Sequence, residues 1–161
     1  MSGLTDLTWL SLDISRKVTG VTLWKGEEPV DVLTIKLPAT SLGEQLDLWD
    51  DEAQKLLLLA RPALVAWEDV RAVSKQHGMI QFGQVGILLM HLHRQNIAQI
   101  GFAQSTVKLA LAGHGHAKKP DMIAAAKERW PHLDISDDNI ADSLGVGLAL
   151  IARMRSGNQD E

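Results

Sequence analysis

The sequence predicts an α/β fold, in which a mixed five-stranded sheet of three antiparallel strands and then parallel strands is flanked by helices. Near the start of the chain, three runs at 7–13, 18–24 and 30–37 show the alternation of apolar residues that is typical of strands. From residue 42 onward, apolar residues recur at spacings of three and four, which indicates helices separated by two short apolar runs. The predicted order of elements is therefore βββ-α-β-α-β-α.

The first two strands place a carboxylate beside a turn. Alternation puts Leu10 and Leu12 on one face of the first strand and Asp13, at its end, on the other. The polar residues 15–17 then lead into the second strand, which predicts a hairpin. An aspartate after an apolar run is more often a turn former or a helix cap than a catalytic group. The role of Asp13 therefore depends on which other carboxylates lie near it.

The middle of the chain is predicted to form two helices around a short strand. Residues 42–60 have amphipathic spacing with an acidic cluster on the outer face, and we expect those acids to be solvated. The strand at 63–67 ends in Glu68. The helix at 76–96 is apolar nearly all round, so it should bury one face on its own sheet and another on a second copy of the chain.

The last part of the chain is predicted to hold a short strand at 99–102 and three helices. The first two helices cover 105–111 and 119–130, and the His-x-His between them lies among glycines, which favours a loop over a metal site. The third helix opens with capping residues at 136–138 and carries the small-residue stripe Ala141, Gly145 and Ala149, which predicts close packing on the sheet.

Length and composition restrict the class of protein. A chain of 161 residues suits one domain covering 1–161, with about 156–161 as a flexible tail. The absence of cysteine excludes disulfides, thiolate nucleophiles and Cys-ligated zinc. Since neither a leader peptide nor a long apolar run is apparent, we expect no membrane insertion and a cytoplasmic location.

The distribution of charge leaves room for a local DNA-binding surface. The net charge of -4 argues mildly against a nucleic-acid binder, whose surface is usually basic. Basic residues nevertheless lie in the predicted hairpin turn at 15–17 and in the middle and later parts of the chain. The candidate DNA-binding residues are Arg16, Lys17, Arg71, Lys75, Lys108, Lys118 and Lys119.

Four carboxylates are predicted to share one edge of the sheet. If the first and fourth strands are parallel neighbours, Asp13 and Glu68 emerge at the same edge, and the last helix would add Asp138 and Asp142. So many like charges need compensation by a divalent cation, and carboxylate ligands favour Mg²⁺ or Mn²⁺ over zinc. Two such ions, typically about 3.5 to 4 Å apart, can activate a water and stabilise the leaving oxygen of a phosphodiester.

At this point the chain resembles a known family, the RuvC-type Holliday-junction resolvases of the RNase H-like superfamily, and especially their compact phage versions. Four stretches carry the resemblance: S-L-D-I-S-R-K-V-T-G-V, A-W-E-D-V, Q-S-T-V-K-L-A-L-A-G-H-G-H-A-K-K-P-D-M and D-D-N-I-A-D-S-L-G-V-G-L-A-L. The resemblance implies a two-metal crossover junction endodeoxyribonuclease that acts as a homodimer and makes paired nicks in a four-way DNA junction. It also implies a set of catalytic residues, namely the metal ligands Asp13, Glu68, Asp138 and Asp142 and the phosphate-facing lysines Lys108 and Lys119.

The chain departs from the family pattern at two positions. Members often place an aromatic residue three positions after the glutamate, where this chain has Arg71. The last carboxylate pair is often spaced i, i+3, but the residue at that spacing from Asp142 is Asn139. The fourth metal ligand is therefore either Asp138 or Asn139, and the negative charge of a carboxylate favours Asp138.

Three other functions are each consistent with part of the sequence. A related RNase H-like nuclease could act on structured RNA, but the later lysine-rich stretch favours the resolvase. A catalytically silent module that binds branched DNA would be expected to have an incomplete carboxylate set. A plain α/β domain whose acids are only caps and surface charges gives no reason for three separate carboxylate placements at one inferred edge.

Overall fold

The computed structural model describes residues 3–70 and 74–157. Its sheet has the order β3-β2-β1-β4-β5, in which β1, β2 and β3 are antiparallel neighbours and β4 and β5 run parallel to β1. This confirms the predicted mixed five-stranded sheet. The strands are β1 Thr8–Asp13, β2 Val18–Lys25, β3 Glu28–Lys36, β4 Leu64–Glu68 and β5 Ala98–Phe102.

Five helices cover the two faces of this sheet. One face, which includes Leu10 and Leu12 of β1, packs on α1 and α2, and the other, which includes Trp9, packs on α3, α4 and α5. Strand alternation thus divides the core into two layers, as the pattern of β1 predicts. The helices are α1 Leu42–Ala60, α2 Lys75–Arg94, α3 Gln104–Ala112, α4 Lys119–Arg129 and α5 Asp138–Gly157. None of the helices in the described ranges has the length and apolar character needed to cross a membrane.

Two helices differ in detail from the sequence prediction. In the acidic cluster of α1, Asp50 is only partly solvated, because its Oδ1 lies 2.5 Å from Nε2 of the buried His91 on α2. The small-residue stripe of α5 was predicted to pack on the sheet, but its Gly145 faces another helix. A Cβ on Gly145 would meet Val107 of α3 at 2.8 Å. Gly147 lies two residues after Gly145, which is about 200° further around the helix. It is therefore Gly147 that faces the sheet, against the ring of Trp24.

The first turn of α5 lies in backbone contact with β2. Gly20 is the register partner of Asp13, and a Cβ on Gly20 would lie 1.9 Å from the carbonyl oxygen of Asn139 and 2.9 Å from the nitrogen of Ile140. These are backbone atoms, which cannot rotate away as a side chain can. A glycine on β2 therefore sets how closely α5 approaches the end of β1.

We expect Gly20→Ala to destabilise the protein by about 3 kcal/mol and to reduce its activity, because overpacking of this size forces the backbone apart. Thermal unfolding monitored by circular dichroism would measure the loss. The matched control is Gly43→Ala, since a Cβ at that exposed position of α1 meets nothing within 4 Å. Equal unfolding temperatures for Gly20→Ala and the wild type would contradict the close contact.

Candidate active site

The parallel pairing of β1 and β4 brings Asp13 and Glu68 to the same edge of the sheet. Leu10 pairs with Val65 and Leu12 with Trp67, so the next residue of each strand carries a carboxylate. Asp13 is buried and Glu68 is half-buried, and their side chains share a hydrogen bond. Both acids follow apolar strand residues, which explains why they are placed at a strand end with little solvent around them.

The first turn of α5 adds Asp138 and Asp142 to this edge. Capping of the helix is done by Asp137, whose Oδ1 accepts a hydrogen bond from the Ile140 N–H at 3.0 Å. Asp138 is therefore the first helical residue and has no capping role. The two carboxylates lie one turn apart, and both are half-buried beside the end of β1.

The pKa values of two of these carboxylates, Asp13 and Asp142, are raised in the folded protein. The pKa of Asp13 is raised well above its usual value, first by burial and then by the charges of Glu68, Asp142 and Asp138. The pKa of Asp142 is raised to about 7, again by burial first and then by the neighbouring carboxylates. The structure therefore concentrates negative charge at a desolvated edge of the sheet, where a bound cation would be strongly favoured.

Two lysines from different helices lie near this group. Lys119, the first residue of α4, places its Nζ 2.7 Å from Oδ2 of Asp138, and the hydrogen bond and charge of Asp138 raise the pKa of this lysine. Lys108, on α3, is half-buried, and its charge lowers the pKa of Asp142, as that of Lys119 does. The site thus combines four acids with two cations from outside the sheet.

The other residues predicted to bind DNA lie in turns and at helix starts. Arg16 and Lys17 form the β1–β2 turn that directly follows Asp13 and Ile14. Lys75 is the exposed first residue of α2, and Lys118 is the exposed residue before α4, where its N–H donates to Asp121 at 2.9 Å. Arg71 lies outside the described residues.

The donor set suits a hard divalent cation. It consists of carboxylate oxygens, and the chain has no cysteine to compete for a softer metal. Among the residues that the structure describes, no three carboxylate or imidazole side chains are drawn together closely enough to enclose an ion, as expected for mutually repelling acids. The exposed His114 and His116 lie in the 113–118 loop, as predicted.

A buried hydroxyl network next to the site has no counterpart in the sequence prediction. Ser143, which follows Asp142, shares a 2.7 Å hydrogen bond with Thr22 of β2, and its carbonyl accepts from Ser11 of β1 at 2.6 Å. The indole N–H of Trp24 donates to Ser11 Oγ at 2.7 Å. These bonds fasten α5 to the strand that ends in Asp13. The only sequence signal was three polar residues, Ser11, Thr22 and Ser143, within otherwise apolar segments.

Comparison with known proteins identifies the family of this chain. The family model described as "Crossover junction endodeoxyribonuclease RuvC" matches residues 16–150. Two relatives carry the same name, and each is partly covered by the match. The one from Parasynechococcus marenigrum (strain WH8102) is 30% identical over 69% of this chain and 73% of its own length. The one from Synechococcus sp. (strain RCC307) is 33% identical over 66% of this chain and 68% of its own length.

Two solved structures share the fold at low sequence identity. Thermus thermophilus RuvC, solved in complex with its Holliday junction substrate, has a TM-score of 0.78 and 18% identity, covering 94% of this chain and 96% of that one. The yeast mitochondrial Holliday junction resolvase Ydc2 has a TM-score of 0.71 and 12% identity, covering 96% and 85%. Because the family model spans most of its length, this chain belongs to the RuvC family of crossover junction endodeoxyribonucleases.

Proposed function

We propose that the protein is a structure-specific endonuclease that resolves four-way DNA junctions by hydrolysing two phosphodiester bonds with the help of two Mg²⁺ or Mn²⁺ ions. The observation that carries this proposal is the group of four interacting carboxylates on β1, β4 and α5, opposed by two lysines, in a chain of the RuvC family. Since junction DNA is found with the chromosome or with phage DNA, the proposed location is the cytoplasm.

The chain's own residues have separate roles in this proposal. Asp13, Glu68, Asp138 and Asp142 would hold the ions, which when bound supply an activated water and stabilise the developing charge. Lys108 and Lys119 lie beside these acids, and they would neutralise the charge of the phosphate as the bond breaks. The buried position of Asp13 limits the water around the reacting phosphate, which strengthens these electrostatic interactions.

A cleavage assay tests this function directly. A labelled four-way junction and a linear duplex of the same sequence would be incubated with Mg²⁺ or with EDTA. We expect paired nicks in the junction, none in the duplex, and no cleavage in EDTA. Equal cutting in EDTA would refute the metal-dependent mechanism. Preferential cutting of structured RNA over the junction would show that RNA, and not junction DNA, is the substrate.

We also propose that the protein acts as a homodimer through α2. This helix has an apolar surface that the described part of the chain leaves open, because Met79 is 53% exposed and Phe82 is 56% exposed while Leu88 and Leu92 face the core. Exposed apolar side chains on a helix that is apolar on both faces are typical of a subunit interface. Two copies would also supply the two active sites that paired nicks require.

We expect Phe82→Asp to convert the dimer to a monomer at micromolar concentration, because it places a charge in the centre of the apolar surface. Light scattering would give a mass near the 17.6 kDa of one chain for this variant and twice that value for the wild type. Leu59→Asp is the matched control, since Leu59 is an 86% exposed apolar residue on α1, outside the proposed interface. A monomeric wild type would contradict the dimer.

A further inference from the structure

The turn between β1 and β2 is held from inside the protein by an unusual set of hydrogen bonds. Its three consecutive carbonyls, those of Ser15, Arg16 and Lys17, each accept a hydrogen bond from a different part of the chain. Nε2 of Gln84 on α2 donates to Ser15 at 3.3 Å, Nε2 of Gln45 on α1 donates to Arg16 at 3.0 Å, and the Leu37 N–H donates to Lys17 at 2.8 Å. The carbonyls of the turn are therefore directed to the interior.

The two glutamines occupy positions where an apolar residue would be expected. Both have 0% exposure, on inner helix faces that otherwise carry apolar residues such as Ala53 and Leu88. Their Oε1 atoms are buried without a hydrogen-bond partner among the described residues. Leaving a buried acceptor unpaired costs free energy, and each amide offsets that cost only through the hydrogen bond that its Nε2 donates to the turn. The contact with the turn is therefore what accounts for each buried amide.

Helices α1 and α2 contact each other close to these two glutamines. The indole Nε1 of Trp49 on α1 donates to the main-chain carbonyl of Gln84 on α2 at 2.8 Å. One turn before Trp49 on α1, the side chain of Leu46 packs against Gly83 so closely that a Cβ there would lie 2.9 Å from it. The two glutamine side chains thus extend from a rigid support, and rigid support is what a precisely held binding group requires.

We infer that Gln45 and Gln84 are positioning residues that fix the Ser15–Lys17 turn so that Arg16 and Lys17 meet the DNA backbone beside Asp13. This inference rests on the proposed function, because it assigns a substrate contact to the turn. The turn follows the buried Asp13 with only Ile14 between them, so its conformation determines where two positive charges stand relative to the carboxylates. Ser15 Oγ closes the turn by donating to the Val18 carbonyl at 2.5 Å.

The test uses Gln45→Met and Gln84→Met, which remove the amide and keep the volume. We expect each variant to stay folded but to unfold at a lower temperature than the wild type, because a turn carbonyl loses its donor. Each should also bind a four-way junction about tenfold more weakly and lose about one unit of log–log salt dependence. Gln54→Met is the matched control, because it makes the same change at an exposed position of α1. An unchanged salt dependence in both variants would overturn the inference.

A double-mutant cycle separates positioning from a general structural effect. If Gln84 acts through Arg16, Arg16→Ala should weaken binding in the wild type but add almost nothing in the Gln84→Met background. Fully additive losses would contradict the inference. If one methionine variant fails to fold, the other still tests the inference, because each amide holds a different carbonyl of the turn.

Hydrogen exchange distinguishes a failure of this inference from a failure of the proposed function. The Lys17 and Val18 amides of the DNA-free protein should exchange faster in both methionine variants, and unchanged exchange would overturn the positioning role whatever the protein binds. If the wild type shows no preference for a junction over a duplex, the proposed function fails instead.

Discussion

Replacement of Asp142 with asparagine is expected to lower junction cleavage by about a thousandfold or more while making the metal-free protein more stable at neutral pH. The loss of cleavage is expected because Asp142 is a proposed metal ligand and the substitution removes its charge. A thousandfold loss corresponds to about 4 kcal/mol in the barrier. The gain in stability follows from the raised pKa of Asp142, because burial and the charges of Glu68 and Asp138 oppose its ionisation.

The pH dependence of this stability has a defined sign. The pKa of Asp142 is about 7 in the folded protein and lies near its usual 3.8 in the unfolded chain, so the folded state binds a proton more tightly between these values. The free energy of unfolding therefore falls as the pH rises from about 4 to 7, by at most about 4 kcal/mol from this group. In the Asp142→Asn variant that contribution to the fall is absent.

Thermal unfolding in EDTA at pH 5 and pH 8 measures the difference. We expect the variant to unfold roughly 4–8 °C above the wild type at pH 8, with a smaller difference at pH 5. Added Mg²⁺ should raise the unfolding temperature of the wild type and leave that of the variant unchanged. Asp51→Asn on the exposed side of α1 is the control. A variant that is less stable at pH 8 in EDTA would contradict the carboxylate repulsion.

The second large effect is expected at Asp138. We predict that Asp138→Asn abolishes cleavage and preserves or tightens junction binding, because it removes negative charge near the phosphate. Asn139→Ala should leave cleavage within about tenfold, or roughly 1.4 kcal/mol in the barrier. The structure supports this prediction, because the charge of Asp138 raises the pKa of both Asp13 and Asp142.

Single-turnover cleavage and a gel-shift assay in Ca²⁺ would separate these two effects. The loss of a helix cap is not a confounding factor, because the capping oxygen of α5 belongs to Asp137. An inactive Asn139→Ala together with an active Asp138→Asn would assign the fourth ligand to Asn139.

Much of the fold could be predicted from the sequence because its signals are local. Alternation in β1 separated Leu12 from Asp13, and the change from apolar residues to Glu68 marked the end of β4. The shared edge followed once the two strands were taken as parallel neighbours. The packing of α5 was harder to predict. Whether Gly145 or Gly147 faces the sheet depends on helix rotation, which is fixed by contacts with Trp24 and Val107 that are distant in sequence.

The polar contacts inside the core were the part that sequence could not provide. A serine or glutamine within an apolar helix shows only that a polar group is buried, and its partner can lie anywhere in the chain. Ser143 bonds to strands more than a hundred residues earlier, and Gln84 reaches the turn at Ser15. Sequence patterns locate elements, whereas these bonds depend on how the elements are assembled.

The ion pair between Lys119 and Asp138 has a consequence for the order in which ligands bind. In the ion-free protein, the lysine neutralises part of the charge that a cation would otherwise neutralise. A cation at Asp138 would free the ammonium group for a phosphate, and a phosphate that draws the lysine away would increase the attraction of Asp138 for a cation. Cation and DNA affinities should therefore rise together and by the same factor, since such coupling is reciprocal.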